Sequence, residues 1–169
     1  MERWEAFTRD RVLLKAIERG VHLCLDHLPP PSNPTLPRSE RKDIKAKLTE
    51  LEQTGVTRRL TEQEFSETRH WTRIFLRDKK DSSDKRLITD LRPLNGCYKT
   101  PAFKQDTWAT VLSTLEDDKW NWAAKLDLKD FFYHLGLDKT SSRWIRVKVG
   151  NEGWQFQALP FGLACSPYW

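Results

Sequence analysis

A chain of 169 residues, 38% hydrophobic and 31% charged, has a soluble, globular composition and the length of one domain, or one and a half small ones. No stretch reaches the roughly 18 apolar residues of a membrane span, and residues 1–10 mix both charges with no apolar run, so no secretory signal is expected there; the cysteine usage sets the expectation of an intracellular, reducing setting, cytoplasm or nucleus. The net charge of +5 is spread along the chain and permits a nucleic-acid partner without requiring one, while three widely spaced cysteines exclude a disulfide framework or zinc ribbon.

The first predicted helix spans Arg9 to Arg19. Val12, Leu13, Ala16 and Ile17 share a face, Thr8 is positioned to cap the start, and Gly20 to end it. Residues 28–37 hold five prolines and form an extended strap or stiff linker. A second helix is predicted over Ser39 to Thr54, with Ser39 as N-cap, an apolar stripe of Ile44, Leu48 and Leu51, and Gly55 just past the end. Thr61 to Glu64 starts a short helical turn. Trp71 to Arg77 and Lys85 to Leu91 read as a β-hairpin with a charged tip, Asp78 to Asp84. A third helix is predicted over Asp106 to Leu115, capped by Asp106, with Trp108, Val111, Leu112 and Leu115 on one face. Trp122 to Leu128 reads as a strand delivering Asp127 near its end. Trp144 to Val149 and Trp154 to Leu159 make a second hairpin around Gly150–Gly153. Helices first, then hairpin, helix, strand and hairpin, is an α+β order and not an alternating βαβ one.

Three segments carry residue types suited to chemistry. In Lys125-Leu126-Asp127-Leu128-Lys129-Asp130, an apolar strand ends on a carboxylate, which can hold a hard divalent cation; the plainer reading is a helix cap followed by a solvated acid. Lys79, Lys80 and Arg86 on a hairpin suit a triphosphate, and also suit an ordinary solvated turn. Leu159-Pro160-Phe161-Gly162-Leu163 makes a rigid aromatic platform for a base or sugar, or simply a core turn. A fourth segment, His22 to His27, has metal-ligand residue types but no partner cluster downstream, and its alternation puts His22, Cys24 and Asp26 on one face and His27 on the other.

Taken in order, these segments resemble reverse transcriptases. Residues 79–95 are similar to the fingers hairpin, with its lysine-lysine-aspartate, arginine, strand, and arginine-x-leucine-asparagine (here Arg92-Pro93-Leu94-Asn95). Asp127 to Phe132 resembles motif A, and Leu159 to Pro167 resembles motif B. Trp4, Val12-Leu13-Leu14, Ile17 and Gly20, then a proline-bearing stretch, with Phe103-Lys104 further on, are similar to tyrosine-recombinase retrotransposons of the DIRS type. The resemblance covers roughly residues 4–169 and is most specific from Arg77 onward.

The resemblance implies a partial right-hand polymerase. Residues 1–37 would be an N-terminal helical leader with a proline-rich strap, and 38–169 the fingers and an incomplete palm. It implies Asp127 as the catalytic carboxylate holding two Mg²⁺ (or Mn²⁺) ions, with the Leu128 carbonyl as a further ligand. Lys79 and Arg86 would contact the dNTP triphosphate, and the backbone around Asp130 and Phe131 would line its pocket. Phe132 stands at the steric gate, Phe161 under the nucleotide, and Gly162 where the template approaches. The implied reaction is in-line phosphoryl transfer to a primer 3′-OH on an RNA or DNA template.

This sequence departs from the pattern twice. Phe131 replaces a small alanine, and the aromatic-x-Asp-Asp hairpin of motif C is absent, no Asp following Asp138. The expectation is a retroelement fragment cut before motif C and inactive alone, with an open edge on the Asp127 strand, an exposed apolar face over Trp154 to Leu159, and marginal stability. A catalytically silent nucleic-acid-binding module and an unrelated α+β domain are the competing readings. The polymerase reading requires the hairpin, Asp127 and the Phe161 platform to surround one hollow.

Overall fold

The computed structural model describes residues 2–79, 82–100, 102–115, 122 and 124–169, without the side chains of residues 2, 3, 79 and 82–84. After a short α1 (Glu2–Glu5), α2 runs over Arg11–Arg19. It starts two residues later than predicted because Asp10 caps it, accepting from the backbone N–H groups of Val12 and Leu13. Thr8 instead accepts from Asp10 N–H. Gly20 ends the helix as predicted, at φ +86°. Beyond it, Val21 forms a parallel bridge with Leu137, and Ser32, within the proline-rich segment, one with His70.

A 3₁₀ turn over Arg38–Glu40 feeds α3 (Arg41–Gln53), and Ser39 lies inside that turn rather than capping it. Gly55, at φ +75°, closes α3 as predicted, and Val56 N–H reaches back to the Leu51 carbonyl. The short β1 (Thr57–Arg59) precedes α4 (Glu62–Glu67), which opens on a reciprocal Thr61–Glu64 capping box. β2 (Arg73–Lys79) and β3 (Ser82–Asp90) form the first predicted hairpin; Lys80 and Asp81 at its tip lie outside the described residues. Then follow α5 (Arg92–Asn95), α6 (Trp108–Leu115) and α7 (Lys139–Ser142). β4 (Arg146–Val149) and β5 (Glu152–Phe156) make the second hairpin around Gly150-Asn151, with Gly150 at φ +62°.

The sheet order is β1-β5-β4, all antiparallel. The core packs α3 against this sheet and the base of the first hairpin: Ile44, Leu48, Leu94, Ile145, Val147, Trp154, Phe156 and Leu159 are wholly buried. Arg59 caps Trp154 with its guanidinium 4.9 Å from the ring and pairs with Glu52 and Glu152. Among the described residues no helix is long and apolar enough to cross a membrane.

Beyond the Thr8 and Ser39 caps, three further sequence expectations fail. Residues 124–128 are not a strand, because no bridge joins them to any described segment and a strand needs a partner to satisfy its N–H and C=O groups. Trp154 to Leu159 is not an exposed apolar face, because β1 pairs along β5 and α3 covers it. The uncovered apolar surface is elsewhere, on Trp108, Leu112 and Leu115 of α6 and on Trp122 and Leu126, the last 90% exposed. Asp106 does not cap α6; the hydroxyl of Thr107 does, accepting from Thr110 N–H.

Candidate nucleotide site

A hollow of about 450 Å³ lies between four parts of the chain. β3 contributes Lys85, Arg86 and Leu87; α3 contributes Lys47, Glu50 and Leu51; the loop after 126 contributes Asp127, Leu128, Lys129, Asp130 and Tyr133, with Phe161 beside them. Five of the sequence-predicted residues therefore share one hollow: Arg86, Asp127, Leu128, Asp130 and Phe161. Lys79 ends β2, opposite Ser82, and its side chain is outside the description.

Phe131, Phe132 and Gly162 are not among the lining residues. The backbone supplies the reason. Asp130 sits in the left-handed region, at φ +53° and ψ +36°, which aspartate tolerates better than most residues. The chain therefore reverses there into a 3₁₀ turn over Phe131–His134. Phe132 is carried against the core and against Phe161, ring centres 5.3 Å apart, and Phe131 tilts onto Phe132. Tyr133 is the ring that reaches the hollow, edge-on to Phe161 at 5.3 Å. Burial first, and the Asp130 carboxylate second, push its phenol up to about 12, so it stays a neutral hydroxyl at physiological pH.

The Phe161 shelf is fastened from below. The Thr89 hydroxyl of β3 donates to the Phe161 carbonyl at 2.7 Å, and Asn95 Nδ2 donates to the Gly162 carbonyl at 2.9 Å. Asn95 Oδ1 also accepts from Ala164 N–H and from the Tyr98 hydroxyl. Gly162 is at φ +96°, and a Cβ there would come within 3.1 Å of the Thr89 carbonyl, so glycine lets the shelf lie flat on β3. Beside it, Arg92 grips Asp90 with two hydrogen bonds, holding that carboxyl below its usual range.

Sequence reasoning missed Lys47, Glu50, Leu51, Lys85, Leu87, Lys129 and Tyr133. Lys47, Glu50 and Leu51 stand at helical spacing i, i+3, i+4, so their common face was readable; what that face looks onto was not. Of the His22–His27 segment, His22 Nδ1 pairs with Asp138 Oδ2, and Cys24 is an exposed free thiol.

The hollow carries four cationic and three acidic side chains, with an aromatic floor, which suits a phosphorylated, ring-bearing ligand. It does not fit a metal pair. Mg²⁺ takes about six oxygens, and among the described residues no group of three or more His, Cys, Asp or Glu converges; Asp127 and the Leu128 carbonyl, the two ligands the resemblance implies, would not suffice.

No protein-family model matches the sequence. Over 100 residues the chain is 31% identical to Protein P of duck hepatitis B virus (isolate white Shanghai duck S31), covering 57% of this chain and 13% of that protein. The foamy viral protease-reverse transcriptase dRH, solved in complex with double-stranded DNA, superposes with a TM-score of 0.63 at 17% identity, over 85% of this chain and 23% of that one. The fold is reverse-transcriptase-like. The chain thus spans less than a quarter of the length of either relative. Such a fold brings the α3 face, the β2–β3 hairpin and the loop at Asp127 to one hollow although they lie far apart in sequence.

Proposed function

We propose that this chain is part of an RNA-directed DNA polymerase of a retroelement, of the DIRS type, and that the hollow receives the incoming dNTP. On this reading residues 1–37 are a leader and strap, and 38–169 the fingers and front palm. The observation that carries it is the shared hollow of Arg86, Asp127 and Phe161, from three segments that resemble successive polymerase motifs. Arg86 and Lys79 neutralise the triphosphate, Asp127 faces the α-phosphate, and Phe161 with Tyr133 packs against sugar and base. In the complete enzyme the primer 3′-oxygen bonds to the α-phosphorus while the bond to the β-phosphate oxygen breaks and pyrophosphate leaves. Template and primer, RNA or DNA, would lie across the Gly162 side of the shelf. With Asp127 and the Leu128 carbonyl alone as implied metal ligands, the 169-residue polypeptide binds nucleotide and does not extend primers.

The test is fluorescence anisotropy with a labelled dNTP, alongside primer extension. Saturable binding is expected, weakened about 10-fold or more by Arg86→Ala, since a charge-assisted hydrogen bond contributes roughly 1.5–3 kcal/mol. Absence of saturable binding, or an Arg86→Ala variant that binds as wild type, refutes the nucleotide reading. Robust primer extension abolished by Asp127→Ala refutes the claim of inactivity alone.

A further inference from the structure

One helix that lines the hollow, α3, belongs to none of the motif segments, yet it brings a lysine to the lining. α3 is rigid there: Ile44 and Leu48 on its inner face are wholly buried. One turn across, Lys47, Glu50 and Leu51 line the hollow. The Lys47 ammonium donates to Glu50 Oε2 at 3.2 Å, and its side chain is only 30% exposed, so the charge is held near the opening rather than swinging free in solvent. The same helix is tied to β3 by Lys85 on Asp43 at 3.4 Å. Helix and hairpin thus bring three cations to the lining, Lys47, Lys85 and Arg86, with Glu50 among them, while the loop and the shelf bring Asp127, Asp130, Tyr133 and Phe161, with Lys129 among them.

Resting on the nucleotide reading, we propose that Lys47 is a further binding residue of this site, specific for the terminal phosphates of the triphosphate, with Glu50 as one of its resting partners. The chemistry follows from these two groups of side chains. A nucleotide lying across the hollow puts its ring beside Tyr133 and Phe161 and its polyphosphate beside the helix and hairpin cations. There a terminal phosphate, with up to two negative charges over three oxygens against one over two on Glu50, is the stronger partner for the ammonium. A hollow of about 450 Å³ suits a ligand of nucleotide size.

The experiment displaces a labelled dNTP with unlabelled dNTP, inorganic tripolyphosphate, dNMP or a single-stranded oligonucleotide, on the full 169-residue chain. Lys47→Ala is expected to weaken dNTP and tripolyphosphate about tenfold and to leave dNMP within about twofold. Lys47→Arg restores most of the loss. Glu50→Gln, which removes one carboxylate from beside the ammonium and from the lining of the hollow, tightens tripolyphosphate severalfold. Lys42→Ala, elsewhere on α3, changes nothing, and equal melting temperatures show that the fold is intact. If Lys47→Ala binds tripolyphosphate as wild type while Arg86→Ala still loses dNTP, the inference fails and the nucleotide reading stands. An equal loss for dNMP, or a loss for the oligonucleotide alone, also overturns it. If the wild-type chain binds no nucleotide, both fall together.

Discussion

Replacing Asn95 with alanine removes three hydrogen bonds at once from beneath the shelf: Nδ2 to the Gly162 carbonyl, and Oδ1 from Ala164 N–H and from Tyr98 Oη. Each contributes about 1 kcal/mol net, and the partners left behind matter as much as the bonds lost. Tyr98 is buried and Ala164 half-buried, so their donors gain little water in exchange. We expect Asn95→Ala to cost about 2–3 kcal/mol, a fall of roughly 1 M in the urea midpoint at an m-value near 2 kcal/mol/M. Asn95→Asp keeps the acceptor for Ala164 and Tyr98 but sets a carboxylate oxygen against the Gly162 carbonyl, and should cost about 1–2 kcal/mol. Because the same residue holds the platform under the hollow, labelled-dNTP affinity should fall in both variants at urea concentrations where they remain folded. Thr89→Val, which deletes the bond to the Phe161 carbonyl, should do likewise. An Asn95→Ala protein that unfolds at the wild-type urea concentration with an unchanged m-value would refute the account of how the shelf is held.

Glu64 is gripped by Arg58 in a two-pronged pair and accepts from Thr61 N–H, and these hold its carboxyl down from 4.5 to about 2. A depressed carboxylate stabilises the fold fully above its unfolded value and ceases to do so as pH falls through its folded value. The wild type should therefore lose stability between pH 4.5 and about 2, and Glu64→Gln should lack that component; screening discounts its size to about 2 kcal/mol. Other depressed acids, Asp90, Asp138 and Glu152, titrate in both proteins, so the difference between the two urea-midpoint curves isolates Glu64. Parallel curves from pH 5 to 2 would remove the pairing from the stability account. Gly20→Ala places a methyl 2.5 Å from the Leu137 carbonyl carbon at a φ of +86°, and should cost more than about 2 kcal/mol in the same assay; a midpoint equal to wild type would show that the Val21–Leu137 junction yields without penalty.

Local chemistry was readable in the chain. Gly20 and Gly55 end helices because only glycine enters those backbone conformations without strain, Thr61 and Glu64 satisfy each other's donors within four residues, and both hairpins follow from apolar runs around polar or glycine turns. The order of the basic hairpin, the Asp127 segment and the Phe161 platform was enough to expect one shared hollow, and Arg86, Asp127 and Phe161 do line one. Caps were misplaced by one or two residues, since Thr8 and Asp10, or Asp106 and Thr107, offer equivalent oxygens and only the starting turn chooses. Three matters depended on long-range packing. Residues 124–128 find no partner strand, so their apolar pattern does not become a ladder. The left-handed turn at Asp130 sends Phe132 to the core and Tyr133 to the hollow. Lys47 joins Arg86 in lining the hollow only because α3 packs against the sheet and Lys85 ties β3 to it. Side-chain identity and short-range hydrogen bonding decide what each segment can form; which faces confront one another is decided by the joint burial of residues far apart in the chain, and no local pattern encodes that.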